Sequence, residues 1–385
     1  MIEFKLPSLG ADMDEGKLLE WLIKPGDRVK SGRVVAVVDT AKAAVEVESW
    51  DEGTVHELLV QPGETVPVGT VLALFLAEGE SPEAAEARAR GPARRPRPVP
   101  PAGPLQPAAP APAAGRRRVS PAARRRAEAL HLALDAVPGT GPGGAVTLED
   151  VEQAASRAAP ADRGAAMRRA IAAAMSRSKR EIPHYYLAET IPLRRAVAWL
   201  SRQNEQRPVT GRVLMAAVLL KAVAATLVRT SELNGYFREG GFQPSPAVHI
   251  GVAIGLRQGG LVAPAIHDVA GKSLDRVMAD LADLVKRARA GSLRSSELSD
   301  PTITVTNLGD QGAESVFGVI YPPQVALVGF GRMHERPWVE EGTVAVVPVV
   351  TASLAADHRV SDGHRGGLFL ATLRDLLQQP ESFLE

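Results

Sequence analysis

The chain has 385 residues and reads DEGKLLEWLIKPGDRVKSGRVVA at residues 14–36 and DEGTVHELLVQPGETVPVGTVLA at residues 51–73. The two stretches are offset by 37 positions, and they share Pro-Gly pairs at 25–26 and 62–63. Each copy alternates apolar and polar residues between turn residues, which is the pattern of short β-strands. Two equivalent halves of this kind predict a small β-sandwich with quasi-twofold symmetry over residues 1–80.

One lysine lies between the two copies. The connecting segment, residues 39–47, reads DTAKAAVEV, so Lys42 falls where the tip of a hairpin is expected. Most lysines are ordinary solvated surface residues. The position of Lys42 at the centre of the repeat instead indicates an exposed attachment point.

The charge of the chain is unevenly distributed. Eleven arginines and no acidic residue lie between residues 88 and 126, although the net charge of the whole chain is only +1. A basic stretch of this kind fits either nucleic acid or an acidic protein partner. Because no aromatic residue lies between Phe75 and Tyr185 to stack against bases, we expect a protein partner and no nucleic acid.

Residues 81–115 contain ten prolines and eleven alanines in 35 positions, with no apolar periodicity. Such a composition cannot bury enough apolar surface to offset the entropy lost on ordering. The high proline content also favours extended conformers. The segment is therefore predicted to be a flexible linker.

The composition also excludes several classes of site. The chain has no cysteine, which excludes disulfides and thiolate metal sites, and we predict no metal. No apolar run approaches the roughly 20 residues of a membrane span, so we expect no membrane contact. The first residues lack the pattern of a secretory signal. A cytoplasmic protein is the resulting expectation.

Residues 116–155 predict a small helical module. Ser120 is followed by proline, which together form an N-cap and a favoured first helical residue. Thr147 is the predicted cap of a second, short helix, with Asp150 in the position of a capping-box partner. A glycine-rich loop separates the helices, but no Lys-Ser or Lys-Thr follows it, so it does not match a phosphate-binding loop.

After a predicted short linker at residues 156–164, residues 165–385 alternate helix and strand signals. This alternation predicts an α/β domain with a mixed sheet. The apolar patterns predict helices at 213–229 and 273–290 and strands at 248–256, 261–266, 302–305, 325–328 and 344–354.

Two motifs carry a family resemblance: DTAKA at residues 39–43 and DHRVSDG at residues 357–363. Together with the order of the domains, they resemble the dihydrolipoyl acyltransferase components of the 2-oxo acid dehydrogenase complexes across nearly the whole chain. The resemblance implies a multidomain protein with an all-β lipoyl sandwich and a small two-helix peripheral subunit-binding module. It also implies an α/β catalytic domain resembling chloramphenicol acetyltransferase.

By this resemblance, Lys42 carries lipoate in amide linkage. Biotin is the rival cofactor on this fold, but biotinyl domains typically place the lysine between methionines, whereas Ala41 and Ala43 flank it here. The family commonly has an aspartate before the lysine. Ala41 is therefore a departure on a surface that is expected to meet the 2-oxo acid decarboxylase.

The helical module resembles the peripheral subunit-binding domain, which docks dihydrolipoyl dehydrogenase or the decarboxylase through basic residues. Arg124 matches a binding arginine on the first helix of that domain. Ala145 stands where the family has a second arginine. The alternative interpretation of the first helix is a solvated, arginine-rich surface.

His358, Asp362 and Gly363 match the His-x-x-x-Asp-Gly motif that the family shares with chloramphenicol acetyltransferases. Acyl transfer from dihydrolipoamide to coenzyme A needs a base for the thiol and a donor for the developing oxyanion. The resemblance implies that His358 is the base. It implies that Thr306 is the oxyanion donor, acting across the interface of a trimer, and that Asp362 supports the site by hydrogen bonding. His184 matches a family feature near the channel and is assigned no catalytic role.

Three functions remain in competition. The leading one is an acyltransferase core that uses coenzyme A as co-substrate, prefers acetyl and assembles into trimers or the larger cores of the family. Branched-chain, succinyl and acetoin-derived acyl groups fit the same architecture. A noncatalytic scaffold that binds dihydrolipoyl dehydrogenase would not need His358, Thr306 and Asp362. A free-standing acetyltransferase would not need a lipoyl domain.

Overall fold

The computed structural model describes residues 1–9, 13, 15–40, 44–77, 119–129, 137–142, 144–256, 259–309, 312–340 and 342–384, with the backbone alone for residues 153–166. The chain divides into two units, one formed by residues 1–80 with 167–385 and the other by residues 81–166. The predicted lipoate-bearing Lys42 and the predicted linker at 81–115 lie outside the described residues.

The N-terminal region is a sandwich of two antiparallel sheets. Its strands are β1 (Ile2–Lys5), β2 (Glu15–Trp21), β3 (Arg28–Val29), β4 (Arg33–Asp39), β5 (Ala44–Ser49), β6 (Gly53–Leu58), β7 (Thr65–Pro67) and β8 (Val71–Leu76). One sheet has the order β1-β8-β6-β3, and the other contains β5-β4-β2-β7. Alternate residues of both sheets point inward, and fully buried side chains such as Leu18 and Phe75 fill the space between them.

The symmetry predicted from the repeat is present in the backbone. The Gly26 N–H donates to the Val55 carbonyl at 2.8 Å, and the Gly63 N–H donates to the Leu18 carbonyl at 2.7 Å. Gly63 lies 37 positions after Gly26, and Val55 lies 37 positions after Leu18. Both glycines have a positive φ, 93° and 100°, which only glycine adopts without strain. The predicted quasi-twofold sandwich is confirmed.

The unit of residues 81–166 contains α1 (Pro121–Ala129) and the first part of α2 (Leu148–Glu181). The Ser120 hydroxyl accepts a backbone N–H of α1 at 3.1 Å, which confirms the predicted N-cap. Thr147 and Asp150 cap α2 reciprocally, through N–H donors at 2.8 and 3.2 Å. Five buried residues form the small core of this unit: Ala123, Ala127, Val137, Val146 and Val151.

Asp150 also organises the glycine-rich loop. Its carboxylate accepts the Thr140 N–H at 2.9 Å and the Thr140 hydroxyl at 2.7 Å. These hydrogen bonds, the backbone one foremost, hold the pKa of Asp150 well below its ordinary value. A side chain at Gly139 would place Cβ only 2.4 Å from the Gly144 carbonyl oxygen. The glycines of this loop therefore serve close backbone packing.

The second helix differs from its prediction. A short helix and a linker at 156–164 were expected, whereas α2 runs for 34 residues from Leu148 to Glu181. Eleven of these residues are alanine, which has the highest helix propensity of the amino acids. Alanine favours a long helix, whereas Pro160 and Gly164 inside the predicted linker disfavour it, so propensity alone does not account for the continuation.

The C-terminal region is an α/β domain built on a seven-stranded mixed sheet with the order β15-β12-β17-β18-β20-β19, in which β9 also pairs with β20. Its strands are β9 (His184–Pro192), β10 (Gly235–Arg238), β11 (Gly241–Pro244), β12 (Ile250–Val252), β13 (Ile254–Gly255), β14 (Leu261–Val262), β15 (Ala265–Ile266), β16 (Leu293–Arg294), β17 (Ile303–Asn307), β18 (Ala326–Phe330), β19 (His334–Glu340) and β20 (Thr343–Asp357). Its helices, besides the end of α2, are α3 (Arg194–Glu205), α4 (Met215–Arg229), α5 (Leu274–Ala290), α6 (Ser295–Ser299), α7 (Gly363–Leu377) and α8 (Glu381–Leu384), with 3₁₀ turns at Val209–Gly211 and Ser231–Leu233.

One helical stretch, Val209–Arg229, is long and apolar enough by length and composition to cross a membrane. Most of its apolar window, 61%, is buried inside the domain. The Lys221 ammonium donates to the Val269 and Ala270 carbonyls at 3.3 and 2.8 Å, and burial lowers its pKa. These contacts identify α4 as a core helix of the α/β domain.

Candidate active site

His358 directly follows β20, the central strand on which β9, β18 and β19 all pair. The His358 N–H donates to the Pro183 carbonyl at 3.0 Å, which anchors the backbone beside the start of β9. Its ring packs edge-on against the Tyr185 ring, with 5.2 Å between centroids. The side chain is otherwise exposed in a single chain. It is therefore accessible to a substrate and held at its base.

The residues on both sides of His358 form a rigid ion pair. The Asp357 side chain is fully buried, and its carboxylate accepts the Arg359 backbone N–H at 2.9 Å as well as the guanidinium, with Nε to Oδ1 at 2.9 Å and Nη2 to Oδ2 at 2.6 Å. The guanidinium also lies over the Phe237 ring, 3.9 Å from its centroid. Because both neighbours are fixed in this way, the backbone of His358 has little freedom.

Asp362 caps the helix that follows the histidine. Its carboxylate accepts the Arg365 N–H at 3.0 Å at the start of α7. This backbone hydrogen bond, first among several causes that include the nearby His358, lowers the pKa of Asp362. The geometry thus gives Asp362 a positioning role, because it fixes the end of the turn that carries His358.

Tyr185 is a site residue that the sequence patterns did not indicate. Its hydroxyl lies 2.8 Å from the Ser361 hydroxyl, while its ring contacts His358. Burial raises the pKa of Tyr185, so the phenol stays protonated. Tyr185 follows His184 on β9, and only the pairing of β9 with β20 brings it to the histidine.

His184 is occupied at both ring nitrogens. Its Nε2 accepts the Ile320 N–H at 3.1 Å, so the proton lies on Nδ1, which donates to the Ile182 carbonyl at 2.8 Å. Burial lowers the pKa of His184 and favours this neutral form. A ring with both nitrogens engaged is unavailable for proton transfer, which agrees with the absence of a catalytic assignment.

Thr306 lies far from His358 within one chain. It is half-buried near the end of β17 and pairs with Gly329 of β18, which pairs in turn with Ser353 of β20. Thr306 is therefore two strands, about 10 Å, across the sheet and about 17 Å along it from His358. The structure does not bring these two predicted catalytic side chains together within a single chain.

The attachment hairpin is defined by its two strands. β4 and β5 pair antiparallel as far as Asp39 and Ala44, which leaves residues 40–43 to connect them. By the sequence, Lys42 lies in this short connection. The arrangement fits a covalently carried group that several active sites must reach.

A cleft of about 450 Å³ lies beside the His358 turn. Its wall includes Arg359 and Phe237, and it also includes Ser8 and Leu9 of the N-terminal sandwich. A ligand in this cleft would therefore contact the sandwich and the residues next to the histidine at the same time.

Arg124 is exposed on α1, and its neighbour Ala123 is buried in the core of the helical module. The guanidinium thus lies on the solvent side of a helix whose other side is packed. Ala145 is half-buried beside the glycine-rich loop. Of the two positions matched to the family's binding arginines, Arg124 and Ala145, only Arg124 carries a positive charge, and its side chain is exposed.

Three segments of the chain match known families. Residues 161–385 match the 2-oxoacid dehydrogenases acyltransferase (catalytic domain) family. Residues 2–75 match the biotinyl and lipoyl domain family described as "Biotin-requiring enzyme", and residues 117–152 match the e3 binding domain.

Relatives of known name match over the whole chain. The dihydrolipoyllysine-residue acetyltransferase component of the pyruvate dehydrogenase complex of Zymomonas mobilis is 30% identical, over 100% of this chain and 99% of that protein. The lipoamide acyltransferase component of the branched-chain alpha-keto acid dehydrogenase complex of Pseudomonas aeruginosa is 33% identical, over 99% of each.

Among solved structures, the dihydrolipoamide acetyltransferase of Azotobacter vinelandii is similar with a TM-score of 0.54 and 26% identity, covering 57% of this chain and 91% of that one. These comparisons confirm the predicted fold class, the acyltransferase activity and the lipoyl cofactor. The chain belongs to the acyltransferase family of the 2-oxoacid dehydrogenases.

Proposed function

We propose that this chain transfers an acetyl group from dihydrolipoyl-Lys42 to coenzyme A, as the core component of a 2-oxo acid dehydrogenase complex. The observation that carries the proposal is the combination, in one chain, of a lysine placed by the sequence in the short connection between β4 and β5 and an exposed His358 on a rigid turn. When bound, lipoate supplies the thiol that carries the acyl group as a thioester.

In this proposal His358 takes the proton of the coenzyme A thiol as its sulfur bonds to the acyl carbon, and the Thr306 hydroxyl donates to the oxyanion that develops on the acyl carbonyl. When the acyl bond to the dihydrolipoyl sulfur breaks, His358 returns the proton to that leaving sulfur. The structure of the Azotobacter acetyltransferase concerns the catalytic roles of a serine, a histidine 52 residues later and an asparagine four residues after that. Thr306, His358 and Asp362 have the same spacing. A threonine hydroxyl supplies the same donor as a serine, and Asp362 occupies the position of the asparagine.

The separation of Thr306 from His358 supports an active site between subunits. Because the strand register places the backbone positions of the two residues about 20 Å apart in one chain, each proposed site takes its threonine from a neighbour. A closed ring of three chains would supply one such neighbour to every histidine. We therefore propose a homotrimer as the smallest active unit.

Acyl preference is tested by measuring transfer to coenzyme A from a panel of acyl-dihydrolipoamides. We expect kcat/KM for the acetyl substrate to exceed that for the isovaleryl substrate by at least about tenfold, since a few methylenes change pocket binding by this order. The Zymomonas relative is named for the pyruvate dehydrogenase complex and the Pseudomonas relative for the branched-chain complex. Similarity to these two proteins therefore does not decide which acyl group this chain prefers.

Two outcomes of the panel would contradict the proposal. A preference for isovaleryl or isobutyryl substrates would assign the chain to a branched-chain complex. Absence of transfer from every acyl-dihydrolipoamide, with the lipoyl domain still modified, would favour the noncatalytic scaffold. Hydrolysis without coenzyme A serves as the background in each assay.

We also propose that the helical module binds dihydrolipoyl dehydrogenase through Arg124, with the 2-oxo acid decarboxylase as a further partner of the assembly. The change Arg124→Ala is expected to raise the Kd for the purified dehydrogenase by about tenfold, since an interfacial charge pair is lost. The neighbouring change Arg125→Ala is the matched control, because successive helix residues face different directions. Titration calorimetry at two salt concentrations measures both, and equal effects of the two changes would remove the assignment.

A further inference from the structure

The lipoyl domain lies against the catalytic domain through an edge strand. β5 is the outer strand of its own sheet, and its free edge pairs in parallel with β16 of the catalytic domain, Val45 with Leu293 and Glu46 with Arg294. An edge strand offers a row of unpaired N–H and C=O groups that a further strand can satisfy. Addition of a strand is a recurrent mode of protein recognition.

One acidic side chain is enclosed by this contact. The Glu48 carboxylate accepts hydrogen bonds from the Ser296 hydroxyl at 2.6 Å and the Ser296 N–H at 3.3 Å, and it lies 3.4 Å from the Ser295 hydroxyl. In return the Glu48 N–H donates to the Ser295 hydroxyl at 3.1 Å. All three residues are buried, so each polar group finds its partner in the other domain.

The segment that receives β5 is held in place by the catalytic domain. Arg287 of α5 donates to the Glu297 carboxylate, with Nη1 to Oε2 at 2.7 Å, and Glu297 also accepts the Arg294 N–H at 2.9 Å. Leu298, one residue further, packs against the apolar cores of both domains. The segment 293–298 is therefore a preformed surface with one apolar and one polar anchor.

The quasi-twofold symmetry of the lipoyl domain explains why β5 is used. Its symmetry-related edge is β1, because Phe4 pairs with Ala73 as Val47 pairs with Ala36. Each of these strand pairs also shifts its register by one residue at the matching position, which is a β-bulge. Because the bulge recurs, Lys5 opposite Val71 corresponds to Glu48 opposite Val34. The two edge strands thus have the same backbone pairing pattern. They carry opposite charges at the position where β5 contacts Ser295 and Ser296, Lys5 on β1 and Glu48 on β5.

The orientation of the docked domain suits delivery of its lysine. Ala44, the first residue of β5, follows the lysine hairpin directly and stands beside the pair of Val45 with Leu293. Ser8 and Leu9 come shortly before β2 in the chain, and Lys17 near the start of β2 pairs with Asp39, the last residue of β4 before the lysine hairpin. Ser8 and Leu9 therefore belong to the same end of the domain as that hairpin. Both line the cleft that Arg359 also lines, next to His358.

We propose that residues 293–298 are a docking site for the lipoyl domain of the same chain, which binds through its β5 edge with Glu48 as the selecting side chain. The inference rests on the proposed function, because it assigns the route by which the lysine hairpin approaches the His358 cleft. Docking orients the domain so that only the correct one of two similar edges meets the catalytic domain.

An engineered disulfide tests the docked position. The chain has no cysteine, so Glu46→Cys with Arg294→Cys introduces the only cysteine thiols, and the lipoyl group is kept in its disulfide form so that it adds none. Neighbouring strands place paired Cα atoms about 4.8 Å apart, within the range that a disulfide spans. We expect this pair to oxidise within one chain, read as loss of free thiols and a cross-linked peptide without a dimer band on a non-reducing gel.

The matched control uses the symmetry-related edge. Glu3 on β1 is the symmetry-related counterpart of Glu46 on β5, because Glu3 pairs with Leu74 and Glu46 pairs with Val37. The double change Glu3→Cys with Arg294→Cys therefore tests the β1 edge in a chain with the same linker between the domains. This second pair is expected to stay reduced under the same conditions. Equal oxidation of both pairs, oxidation only between chains, or no oxidation of the first pair would each overturn the proposal.

A charge reversal tests the role of Glu48 in turnover. In the lipoylated full chain, Glu48→Lys should lower the ratio of transfer from the chain's own acetylated lipoyl domain to transfer from free acetyl-dihydrolipoamide by about tenfold, since hydrogen bonds to a charged group are lost. Lys5→Glu should leave that ratio at its wild-type value, because Lys5 lies on the other edge. An unchanged ratio in Glu48→Lys would contradict docking, whereas failure of the unaltered chain to use the free substrate would contradict the proposed function instead.

Discussion

Replacement of His358 by alanine is expected to lower the rate of acetyl transfer to coenzyme A by about 10²–10⁴-fold, the usual contribution of a positioned general base. The side chain is exposed in a single chain, and its ring contacts the Tyr185 ring at an edge. Its removal therefore opens no large cavity, and the midpoint of thermal unfolding should change little. Transfer from free acetyl-dihydrolipoamide measures the chemistry without requiring the lipoyl domain.

The matched control for this change is His364→Ala. His364 is exposed on the first turn of α7, six residues after His358, and it receives no role in the proposed chemistry. The same loss of an imidazole at this position should leave the transfer rate within about twofold of wild type, as surface substitutions usually do. Full activity of His358→Ala, or an equal loss in His364→Ala, would remove the general-base assignment.

Local patterns in the sequence were sufficient for much of the fold. The lipoyl sandwich follows from a repeat that is visible without coordinates, and the same offset of 37 residues relates its backbone hydrogen bonds and the two strands, β4 and β8, on which its edge strands pair. The helices α4 and α5 and the regions of the main strands were also predicted. In these cases the apolar periodicity of each segment reports the face that it buries.

Features that depend on pairing between distant segments were not predictable in this way. Tyr185 contacts His358 only because β9 pairs with β20, and β9 itself carries mixed polar and aromatic residues without a clear period. The docking of Glu48 joins residues that are 248 positions apart in the chain. No local pattern records such a contact, since strand register is set by the assembled core.

The separation of Thr306 from His358 leads to the second large expected effect. Neither Thr306→Ala chains nor His358→Ala chains alone should contain a complete active site, and losing an oxyanion donor typically lowers the rate by about 10²–10³-fold. Mixed assemblies of the two variants should regain activity. If one chain supplies the histidine and its neighbour the threonine, random mixing in equal amounts makes about one quarter of the sites complete.

The decisive comparison is between mixed and separately assembled variants at the same total protein concentration. Co-refolding or co-expression allows subunits to mix, whereas combining preformed assemblies does not, and only the first should restore transfer. A single chain is not expected to supply this activity, because the register of β17, β18 and β20 places the backbone positions of the two residues about 20 Å apart within it. Activity that stays at the level of the single variants after subunit exchange would mean that the oxyanion donor belongs to the chain that carries the histidine. Thr306 would then lose its assignment, since its place on β17 does not allow that role.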